Sequence, residues 1–506
     1  MTSFAAVDPQ TPIVIGFAEL VHQHSADFEM ASATALMIEA VQLALDSTGA
    51  ASAVGELTGA VLVPHGTWPE PNPGAAIAEA IGAPDARTIR SELGVLQQSL
   101  LARAAKDVVA GTVDVAIVVG GENRWSGVVA GKSGAAVPEV PALASASEPD
   151  EVLTPNEMVI SQVEIERNLT TAAHQYAIIE SSLRNHLGRS NGAHQRELGA
   201  LWERFAAIAA AAPAAWDHRA MKAEDIAFES QTNRMIAAPY PKWLVSQWNV
   251  DQAAALVFTT VANAQRLGID ESNWIFPLAM VESNVVIPLP ERAELYRWPA
   301  SQIVAAEALK AAGVSLDEVG PIDLYSCFPA AVEVQAREIG LLPGRDLTLT
   351  GGMTFGGGPF NSYVLQGAAA MNRVLRSSEK ELVGITSGVS GLLTKPAITI
   401  WSNGAPRTPF TALDVSEAAD DATDRRPVDP DTTGRGVVVG ATVVPGRSGE
   451  LVTVAVIEVG GVRTVAQSVE LEVGRTFLDS DPVGRSVFLV VPGEFSLEEA
   501  HGRSTP

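Results

Sequence analysis

The glycine-rich stretch GGMTFGGGPFNSY, residues Gly351–Tyr363, says more about the fold than any other part of the sequence. Five glycines and one proline fall within its first nine residues, and a helical pattern, YVLQGAAAMNRVLRSS, begins at Tyr363. A phosphate-binding loop of the Walker type needs a Lys followed by Ser or Thr, which the stretch lacks, and it does not open a Rossmann unit. We therefore interpret it as a tight turn packed between a sheet and a helix.

Strands alternate with helices on both sides of this stretch. Upstream, strands are predicted at Ile13–Leu20, Gly59–Pro64, Ala86–Leu93 and Val113–Gly121, with a helix that begins at a Ser cap and ends on Gly49. Downstream, the same order of elements returns with little similarity in the letters, which indicates an internal duplication of a βαβ-type unit. The pattern predicts an α/β fold with mainly parallel sheets.

Two segments depart from this alternation. Residues 125–242 are mostly helical and hold many of the basic residues, and we interpret them as an insertion that covers one end of the sheet. From Gly434 onward there are only β signals, with four or five short strands that predict a small closed or half-closed barrel, OB-like in type. The predicted domains are an N-terminal half at 1–265 that contains the insertion, a C-terminal half at 266–404, a solvated linker at 405–433 and the barrel at 434–506.

Composition and charge restrict the possible functions. The chain of 506 residues has a net charge of −25, which argues against nucleic acid and anionic lipid as partners because both need a basic face. Its one cysteine, Cys327, excludes an intramolecular disulfide. The N-terminus lacks a signal-peptide pattern, and the longest apolar run, Phe205–Trp216, is too short to span a bilayer. We expect a soluble cytoplasmic protein with no membrane span.

Five segments resemble, in order and close to family spacing, the motif segments of thiolases, nearest the sterol-carrier-protein-type thiolases. They are VVGGENRWS (118–126), NVDQAAALVFTT (249–260), DLYSCFP (323–329), GGMTFGGGPFN (351–361) and TSGVSG (386–391). The glycine-rich stretch is similar to the thiolase pattern GG-x4-G-H-P-x-G. The resemblance covers residues 11–403 and implies the thiolase fold, an α/β fold of two βαβαβαββ halves in five αβαβα layers with a helical loop domain between them.

The resemblance also implies where a thiolase would carry its four catalytic groups. The nucleophilic Cys at a helix N-terminus falls on Ser91, the activating His of the GHP loop on Gly358, the His of the HDCF loop on Tyr325, and the second, proton-moving Cys on Thr386. Cys327 matches the Cys of HDCF, which is not the nucleophile of the family. All four positions are changed, so we expect the thiolase or Claisen reaction to be weak or lost. Ser91 then either caps the following helix or acts as a nucleophile with another base.

Two other residues, and Tyr325 itself, are candidates for the same cleft. His65 follows a strand that should point at the cleft and is the one histidine that we consider as a base, the alternative being a loop histidine with satisfied hydrogen bonds. Asn361 stands where the family has Gly, and it either offers a polar contact or is a turn residue. Tyr325 either donates a hydrogen bond to a thioester oxygen or forms a wall of the cleft. No metal site is predicted, since His22 and His24 lack carboxylate or Cys partners at metal-binding spacing.

The resemblance implies CoA or an acyl-CoA as the ligand, with no cofactor required. An acidic protein that binds an anionic ligand has to gather its few basic residues locally, and Arg and Lys suit the pyrophosphate and 3′-phosphate of CoA. The candidates in the helical insertion are Arg219, Lys222, Arg234 and Lys242, and the alternative is that they are solvated helix charges.

The sequence leaves three functional hypotheses open. The first is a thiolase-like protein of lipid metabolism that binds acyl-CoA or a lipid thioester without thiolysis. The second is an acyltransferase or thioesterase of altered mechanism that uses Ser91 with Tyr325 or His65. The third is a non-catalytic scaffold that contacts another lipid-metabolic enzyme through the barrel. We also expect a monomer, because the strand RTIRSEL, across which family thiolases pair, carries charges such as Arg87 and Glu92 that discourage edge pairing.

Overall fold

The computed structural model describes residues 4, 7–23, 28–446 and 448–497. His24 and the residues of the predicted barrel domain after 497 lie outside the described part. Within that part, no helix combines the length and the apolar character that crossing a membrane requires.

The chain up to residue 266 folds into a six-stranded sheet, the helices on its two faces and a helical excursion. The strands are β1 (Pro12–Val21), β2 (Thr58–Pro64), β3 (Arg87–Ser91), β4 (Val115–Asn123), β5 (Glu151–Leu153), β6 (Met235–Ala237), β7 (Tyr240–Pro241) and β8 (Asp251–Thr260). The helices are α1 (Ala33–Asp46), α2 (Ala51–Glu56), α3 (Pro73–Ala80), α4 (Gln97–Val109), α5 (Arg124–Ser133), α6 (Ala142–Ala146), α7 (Gln162–Glu166), α8 (Ala172–His186), α9 (Asn191–Ala211), α10 (Ala223–Ala227) and α11 (Val261–Arg266).

The second half of the chain forms a five-stranded sheet with its own helices. Its strands are β9 (Phe276–Glu282), β10 (Val319–Asp323), β11 (Val383–Ser390), β12 (Lys395–Ser402) and β13 (Thr411–Asp414). Its helices are α12 (Pro299–Ala312), α13 (Pro329–Ile339), α14 (Gly352–Phe355), α15 (Tyr363–Arg376) and α16 (Ser416–Asp421). Short 3-10 helices lie at Lys242–Leu244, Glu271–Asn273, Leu289–Glu291, Leu316–Glu318 and Phe360–Ser362.

The two halves repeat one strand arrangement, as the sequence predicts. The first sheet has the order β1-β8-β4-β2-β3-β5, and the second has the order β10-β11-β12-β9-β13. β2 is parallel to β4, and β8 lies antiparallel between β4 and β1; β10, β11, β12 and β9 repeat these pairings. Both sheets are therefore mixed. Five of the six strands in the first sheet and four of the five in the second run in one direction, so the expectation of mainly parallel sheets is confirmed; β8 and β12 are the strands that run the other way.

Helices α4 and α15 lie side by side between the two sheets. Their apolar side chains, among them Leu100, Leu101 and Leu365, form one core with Phe258 of the first sheet and Trp401 of the second. Helices α1 and α3 cover the outer face of the first sheet, and α12 covers the outer face of the second. The result is five layers in the order αβαβα, which agrees with the predicted fold class.

The helical excursion at residues 124–244, which we name the lid, leaves the sheet after β4 and returns at β8. Its two long helices are α8 and α9. Helix α9 packs on α10 and on α14, and α8 packs on α13 and on the C-terminal domain. The lid therefore contacts both the second half and the C-terminal domain.

The C-terminal domain is a closed five-stranded barrel, as the sequence predicts. Its strands are β14 (Gly434–Pro445), β15 (Leu451–Val459), β16 (Val462–Ser468), β17 (Ser486–Val491) and β18 (Glu494–Ser496), and they close in the order β14-β15-β16-β18-β17. A helix, α17 (Leu471–Asp479), lies between β16 and β17. The expectation of β structure alone is wrong here, because Val473 and Phe477, four residues apart, bury one helical face in the barrel.

The barrel is docked on the lid and on the second half. A Cβ on Gly440 of β14 would lie 2.9 Å from Ile178 and 2.8 Å from Leu295, so only glycine lets the strand come this close. The Ala441 N–H donates to Ser181 Oγ (2.9 Å). Part of the predicted linker at 405–433 is also built into the fold, because β13 pairs with β9 in the second sheet.

Strand β3, which we expected to present a charged edge, is covered. β5 pairs with it in parallel, and Glu151 of β5 contacts Arg87 and Arg103 at 3.1 Å each. The Thr88 N–H donates to Asp150 (2.7 Å). Arg87 is thus partnered within the chain by the start of the lid segment, and Arg90 by Glu92 (2.6 Å).

Candidate functional site

The N-termini of the two central helices, α4 and α15, meet where the resemblance implies a catalytic centre. The side chain of Gln97, the first residue of α4, joins them. Its Oε1 accepts the N–H of Val364 in α15 (3.0 Å), and its Nε2 donates to Asn361 Oδ1 (3.0 Å). Asn361 Nδ2 in turn donates to the carbonyl oxygen of His65 (3.0 Å). The polar groups at this meeting point therefore satisfy one another.

Ser91 does not open helix α4, and the prediction that it does is wrong. It is the last residue of β3, and the N-cap of α4 is Leu96, whose side chain makes no cap. Ser91 is fully buried, and its Oγ has no hydrogen-bond partner among the described residues. The predicted helix start was too early because residues 92–96 form an irregular turn between strand and helix. Ser91, the position of the thiolase nucleophile, is thus separated from the helix N-terminus by this turn.

His65 lies directly beside Ser91, because its backbone N–H donates to the Ser91 carbonyl (2.8 Å). Its ring points elsewhere: Nδ1 lies 3.0 Å from Glu92 Oε2, and Nε2 lies 3.2 Å from the carbonyl oxygen of Trp68. Both partners are oxygen atoms that accept hydrogen bonds, so the ring is engaged away from Ser91 Oγ. Burial raises the pKa of Glu92, but the hydrogen bonds from His65 and Arg90 outweigh it and hold that pKa below its usual value. His65 is therefore an ion-pair partner in this geometry.

Tyr325 and Thr386 lie next to each other in the second half but face different neighbours. The half-buried ring of Tyr325 meets Tyr363 edge to face, with 5.7 Å between the ring centroids, and its N–H donates to Ser387 Oγ (2.9 Å). Burial raises the pKa of the Tyr325 hydroxyl, so this group stays protonated. Thr386 accepts from the indole N–H of Trp401 (2.8 Å). That contact ties β11 to β12 and leaves Thr386 without a visible part in proton transfer.

The stretch Gly351–Tyr363, which we name the Gly loop, packs tightly against the lid. Gly351 and Gly352 have φ values of +88° and +70°, which side-chain-bearing residues rarely adopt. A Cβ on Gly351 would overlap Ala209 of α9, and one on Gly352 would come within 2.5 Å of Phe205. These glycines therefore serve a turn and a close contact, in agreement with the turn interpretation.

Gly358, the position of the activating histidine in a thiolase, lies in a filled space. Its N–H donates to the carbonyl oxygen of Gln247 (2.8 Å). A Cβ there would lie 3.3 Å from that oxygen and 3.4 Å from Met353 Cβ. A side chain at this position would therefore begin in close contact with Gln247 and Met353.

A buried carboxylate holds the entrance of the Gly loop. Asp323, at the end of β10, accepts the N–H of Leu349 (2.8 Å), the hydroxyl of Thr348 (3.1 Å) and the hydroxyl of Tyr363 (3.2 Å). Burial raises the pKa of Asp323, and these hydrogen bonds oppose the rise. The carboxylate thus fixes residues just before the loop and the tyrosine at its end.

The only cysteine in the sequence is a poor nucleophile. Cys327 is buried, and burial raises the pKa of its thiol to about 12. A thiol with such a pKa stays protonated near neutral pH, and a protonated thiol is a poor nucleophile. Cys327 therefore does not replace the missing family cysteines.

Two of the four predicted CoA-binding residues come together at the edge of the Gly loop. The cationic groups of Arg219 and Lys242 lie 5.0 Å and 4.4 Å from the ring of Trp243. That ring stacks on Phe355 of the Gly loop, with 6.4 Å between centroids. Arg219 also forms an ion pair with Asp217 (2.5 Å). The charge of Arg219 is thus partly neutralised by Asp217, and both cationic groups lie at the edge of the Gly loop.

The other two predicted residues do not join this group. Lys222 is 81% exposed in its side chain and pairs with Glu203 (3.1 Å). Arg234 is exposed at the surface of the lid. Both are consistent with solvated charges, which was the alternative for all four.

The cavities of the protein lie away from the family's catalytic positions. Five cavities of about 290–560 Å³ lie within the described residues, and none of these five is lined by Ser91, Tyr325, Gly358 or Thr386. One of them, of about 360 Å³, lies between the lid and the barrel. Another, of about 560 Å³, is lined by Asn123, Arg124 and Asn249 of the thiolase-like segments, whereas the other four are lined by residues outside those segments.

A cluster of titratable groups also lies outside the predicted site. Glu180, His194 and Glu333 place their ligand atoms within 4.8 Å of one another. Sequence reasoning missed them because the three residues come from α8, α9 and α13 and have no local spacing pattern. Their only sequence signal is the presence of acidic and His residues in helices that are otherwise largely apolar.

Comparisons with known proteins agree with this architecture. No protein-family model and no curated protein sequence matches the chain. Among solved structures, a monomeric SCP2-thiolase like protein type 1 from Mycobacterium smegmatis matches at 26% identity over 97% of this chain and 100% of that chain, with a TM-score of 0.82.

Two further structures match the fold alone. An acetyl-CoA acetyltransferase from Syntrophomonas wolfei has 15% identity over 78% of this chain and 100% of its own, with a TM-score of 0.55. The Ltp2-ChsH2(DUF35) aldolase has 16% identity over 79% of this chain and 99% of its own, with a TM-score of 0.56. With the five layers and the duplicated halves described above, the chain belongs to the thiolase superfamily and is an SCP2-thiolase-like protein.

Proposed function

We propose that this protein binds CoA, acyl-CoA or a related lipid thioester at the edge of the Gly loop and does not run thiolysis. The contact that carries the proposal is the Trp243 group. Arg219 and Lys242 flank an indole that stacks on Phe355 of the Gly loop, so two cations and an aromatic face stand together. Cations suit the phosphates of CoA, and the buried indole holds both cationic groups at the edge of the Gly loop.

The proposed loss of thiolysis rests on what stands at the catalytic positions. The reaction needs a thiolate that a helix N-terminus and a base can activate. Here the N-cap of α4 is Leu96, the position of the activating histidine is Gly358, and the thiol of Cys327 has a pKa of about 12. Each group that would form or hold the acyl-enzyme is absent or inert.

The alternative of a Ser91-dependent acyltransferase or thioesterase has no support in the geometry. Ser91 Oγ has no base within hydrogen-bond distance among the described residues. Both ring nitrogens of His65 face other acceptors, and the Tyr325 ring packs against Tyr363. A serine without a base is a poor nucleophile.

Calorimetric titration with CoA, acetyl-CoA and a long-chain acyl-CoA tests the binding proposal. We expect binding that the double variant Arg219→Ser/Lys242→Ser weakens about tenfold, which corresponds to about 1.4 kcal/mol. Lys310→Ser is the matched control, because Lys310 is an exposed lysine on α12 that pairs with Glu307. No binding at millimolar ligand, or equal affinity for the double variant and the control, would contradict the proposal.

Turnover is measured separately. Cleavage of acetoacetyl-CoA by free CoA should not exceed the uncatalysed background, because no thiolate is available. A CoA-dependent rate that Ser91→Ala abolishes would instead support the acyltransferase alternative.

A role in lipid metabolism, a cytoplasmic location and a protein partner for the barrel remain predictions. The name of the Ltp2-ChsH2(DUF35) aldolase describes a protein with a partner, but at 16% identity the likeness extends to the fold only. The match to a monomeric structure is in line with the expected monomer.

A further inference from the structure

The cavity between the lid and the barrel, which we name the lid–barrel cavity, lies apart from the Gly loop and from the Trp243 group. Its volume is about 360 Å³. This falls within the range of about 300–1,000 Å³ that is usual for small-molecule sites. Helices α8 and α9 and the segment from α10 to β6 form one side, and β14 and α17 of the barrel form the other.

The wall of this cavity is mostly apolar. The lid contributes Phe228, Met235 and Pro239, and the barrel contributes Val443, Phe477 and Leu478. Apolar walls favour ligands that bury hydrocarbon surface. The two sides come from segments that are more than 200 residues apart in the sequence, so the cavity exists only when the barrel is docked.

The buried charged groups of the wall already have partners. Arg184 pairs with Asp481 and donates to the carbonyl oxygen of Arg189 (3.2 Å). Glu180 accepts from Tyr240 (2.6 Å) and pairs with His194. An anionic ligand would therefore enter an apolar space without a free counter-charge, which is costly. A neutral ligand meets no such cost.

Two residues that line the cavity, Glu180 and His194, contact polar side chains that lie behind its wall. His194 Nε2 lies 2.7 Å from Glu180 Oε1, and Arg189 lies 3.4 Å from His194 Nδ1 and 3.6 Å from Glu333 Oε1. Arg189 only donates, so its contact with Nδ1 and the contact of Nε2 with Glu180 engage both ring nitrogens of His194. These contacts fix the polar side chains on this side of the cavity.

We propose that the lid–barrel cavity binds a neutral molecule that is mostly hydrocarbon, and that the barrel is retained because it supplies one wall of this site. An apolar cavity of about 150 Å³ binds benzene, so this one accommodates a ligand of roughly twice that size. The site goes beyond the proposed CoA function, since it shares no residue with the Trp243 group.

Titration of the full chain with 2-naphthol and with 2-naphthoate tests the proposal, because the two probes have similar shape and differ in charge. We expect one 2-naphthol per chain, bound at least tenfold more tightly than 2-naphthoate. Leu478→Trp should fill the mouth of the cavity and weaken 2-naphthol at least tenfold. Leu471→Trp is the matched control: Leu471 and Leu478 lie on the same helix, α17, and are 43% and 40% exposed, but only Leu478 lines the cavity.

Thermal unfolding checks that each variant is folded, and Met235→Trp, on the lid side, carries the test if Leu478→Trp does not fold. The proposal fails if the wild-type chain does not bind 2-naphthol. It also fails if both filling variants bind as tightly as the control, or if 2-naphthoate binds more tightly than 2-naphthol. Stoichiometric Zn²⁺ binding that His194→Ala abolishes would replace it by a metal site.

Discussion

The Gly loop and the lid–barrel cavity lie against the same helix, α9, yet one region is filled and the other is open. Ala209 and Phe205, in the second half of α9, occupy the space beside the Gly loop. His194 and Gln195, near its N-terminus, line the cavity. The filled region carries the recognisable motif, and the open region carries none. The motif in the Gly loop therefore reflects the backbone conformation that the fold requires. The lid–barrel cavity instead depends on how elements distant in the sequence pack together.

The comparison also shows that a catalytic side chain can be absent without leaving a cavity at its position. At Gly358 the backbone of Gln247 and the side chain of Met353 lie in contact distance of the position that a Cβ would take. At the helix N-termini, Gln97 and Asn361 bind each other where catalytic groups would meet. The old site is closed by ordinary packing and hydrogen bonding.

Asp323→Asn is expected to have the largest effect, because it removes the charge that holds the Gly loop. The carboxylate accepts from Leu349, Thr348 and Tyr363, and an amide would turn a donor toward these donors. We expect a loss of about 3–5 kcal/mol in the free energy of unfolding, measured in urea. Asp346→Asn is the control: its side chain is 70% exposed and pairs with Arg204, so a loss below about 1 kcal/mol is expected. Equal losses would show that the loop is not anchored by Asp323.

Gly351→Ala, set against Gly344→Ala, separates crowding from backbone strain. The two glycines have nearly equal φ values, +88° and +89°, but a Cβ on Gly351 overlaps Ala209, whereas nothing lies within 4 Å of one on Gly344. Both variants should lose about 1 kcal/mol from the left-handed backbone. Gly351→Ala should lose a further ~1–3 kcal/mol from overpacking. Urea unfolding of both proteins measures the difference, and a difference near zero would mean that the Gly loop is less closely packed than described.

The third expected effect is a pH dependence at Glu333, whose carboxylate lies within 4.8 Å of the ligand atoms of Glu180 and His194. Burial raises the pKa of Glu333 to about 8, with a further rise from the neighbouring carboxylate of Glu180, while Arg189 and Arg337 oppose it. Between the usual pKa of 4.5 and 8, the folded chain therefore holds a proton that the unfolded chain has released. Stability falls as pH rises through this window, by at most about 1.4 kcal/mol per pH unit.

The variant Glu333→Gln mimics the protonated side chain and should remove this contribution. Unfolding free energies of both proteins at pH 5, 6, 7 and 8 give two slopes, and the wild-type slope should be the more negative. Because every other group is shared, the difference between the slopes isolates Glu333. Parallel slopes would contradict the assigned protonation.

Much of the fold could be predicted because its signals are local. The Ser32 cap, the run of apolar residues in the central strands and the turn glycines each depend on neighbours within a few positions. The duplicated order of elements then suffices for the α/β architecture, and the motif resemblance supplies the family. The barrel was predicted in the same way, from short strands between turns.

The errors and omissions concern contacts between distant segments. β5 is three residues long and pairs with β3, which lies about 60 residues earlier in the chain. No local sequence pattern predicts this pairing. Ser91 was placed at a helix start because the irregular turn before Leu96 has no distinctive signal. The lid–barrel cavity depends on contacts such as Arg184 with Asp481, 297 residues apart. Such contacts are decided by tertiary packing, which local propensity does not encode.

The pairing of β5 with β3 has a consequence for how stability depends on concentration. In an obligate dimer, part of the folding free energy comes from the second subunit, so the unfolding midpoint moves with protein concentration. Here the edge of β3 is completed by the same chain, and Glu151 supplies the opposite charge to Arg87 and Arg103. That contribution is intramolecular and does not weaken on dilution. The sheet edge is therefore as well protected in a scarce protein as in an abundant one.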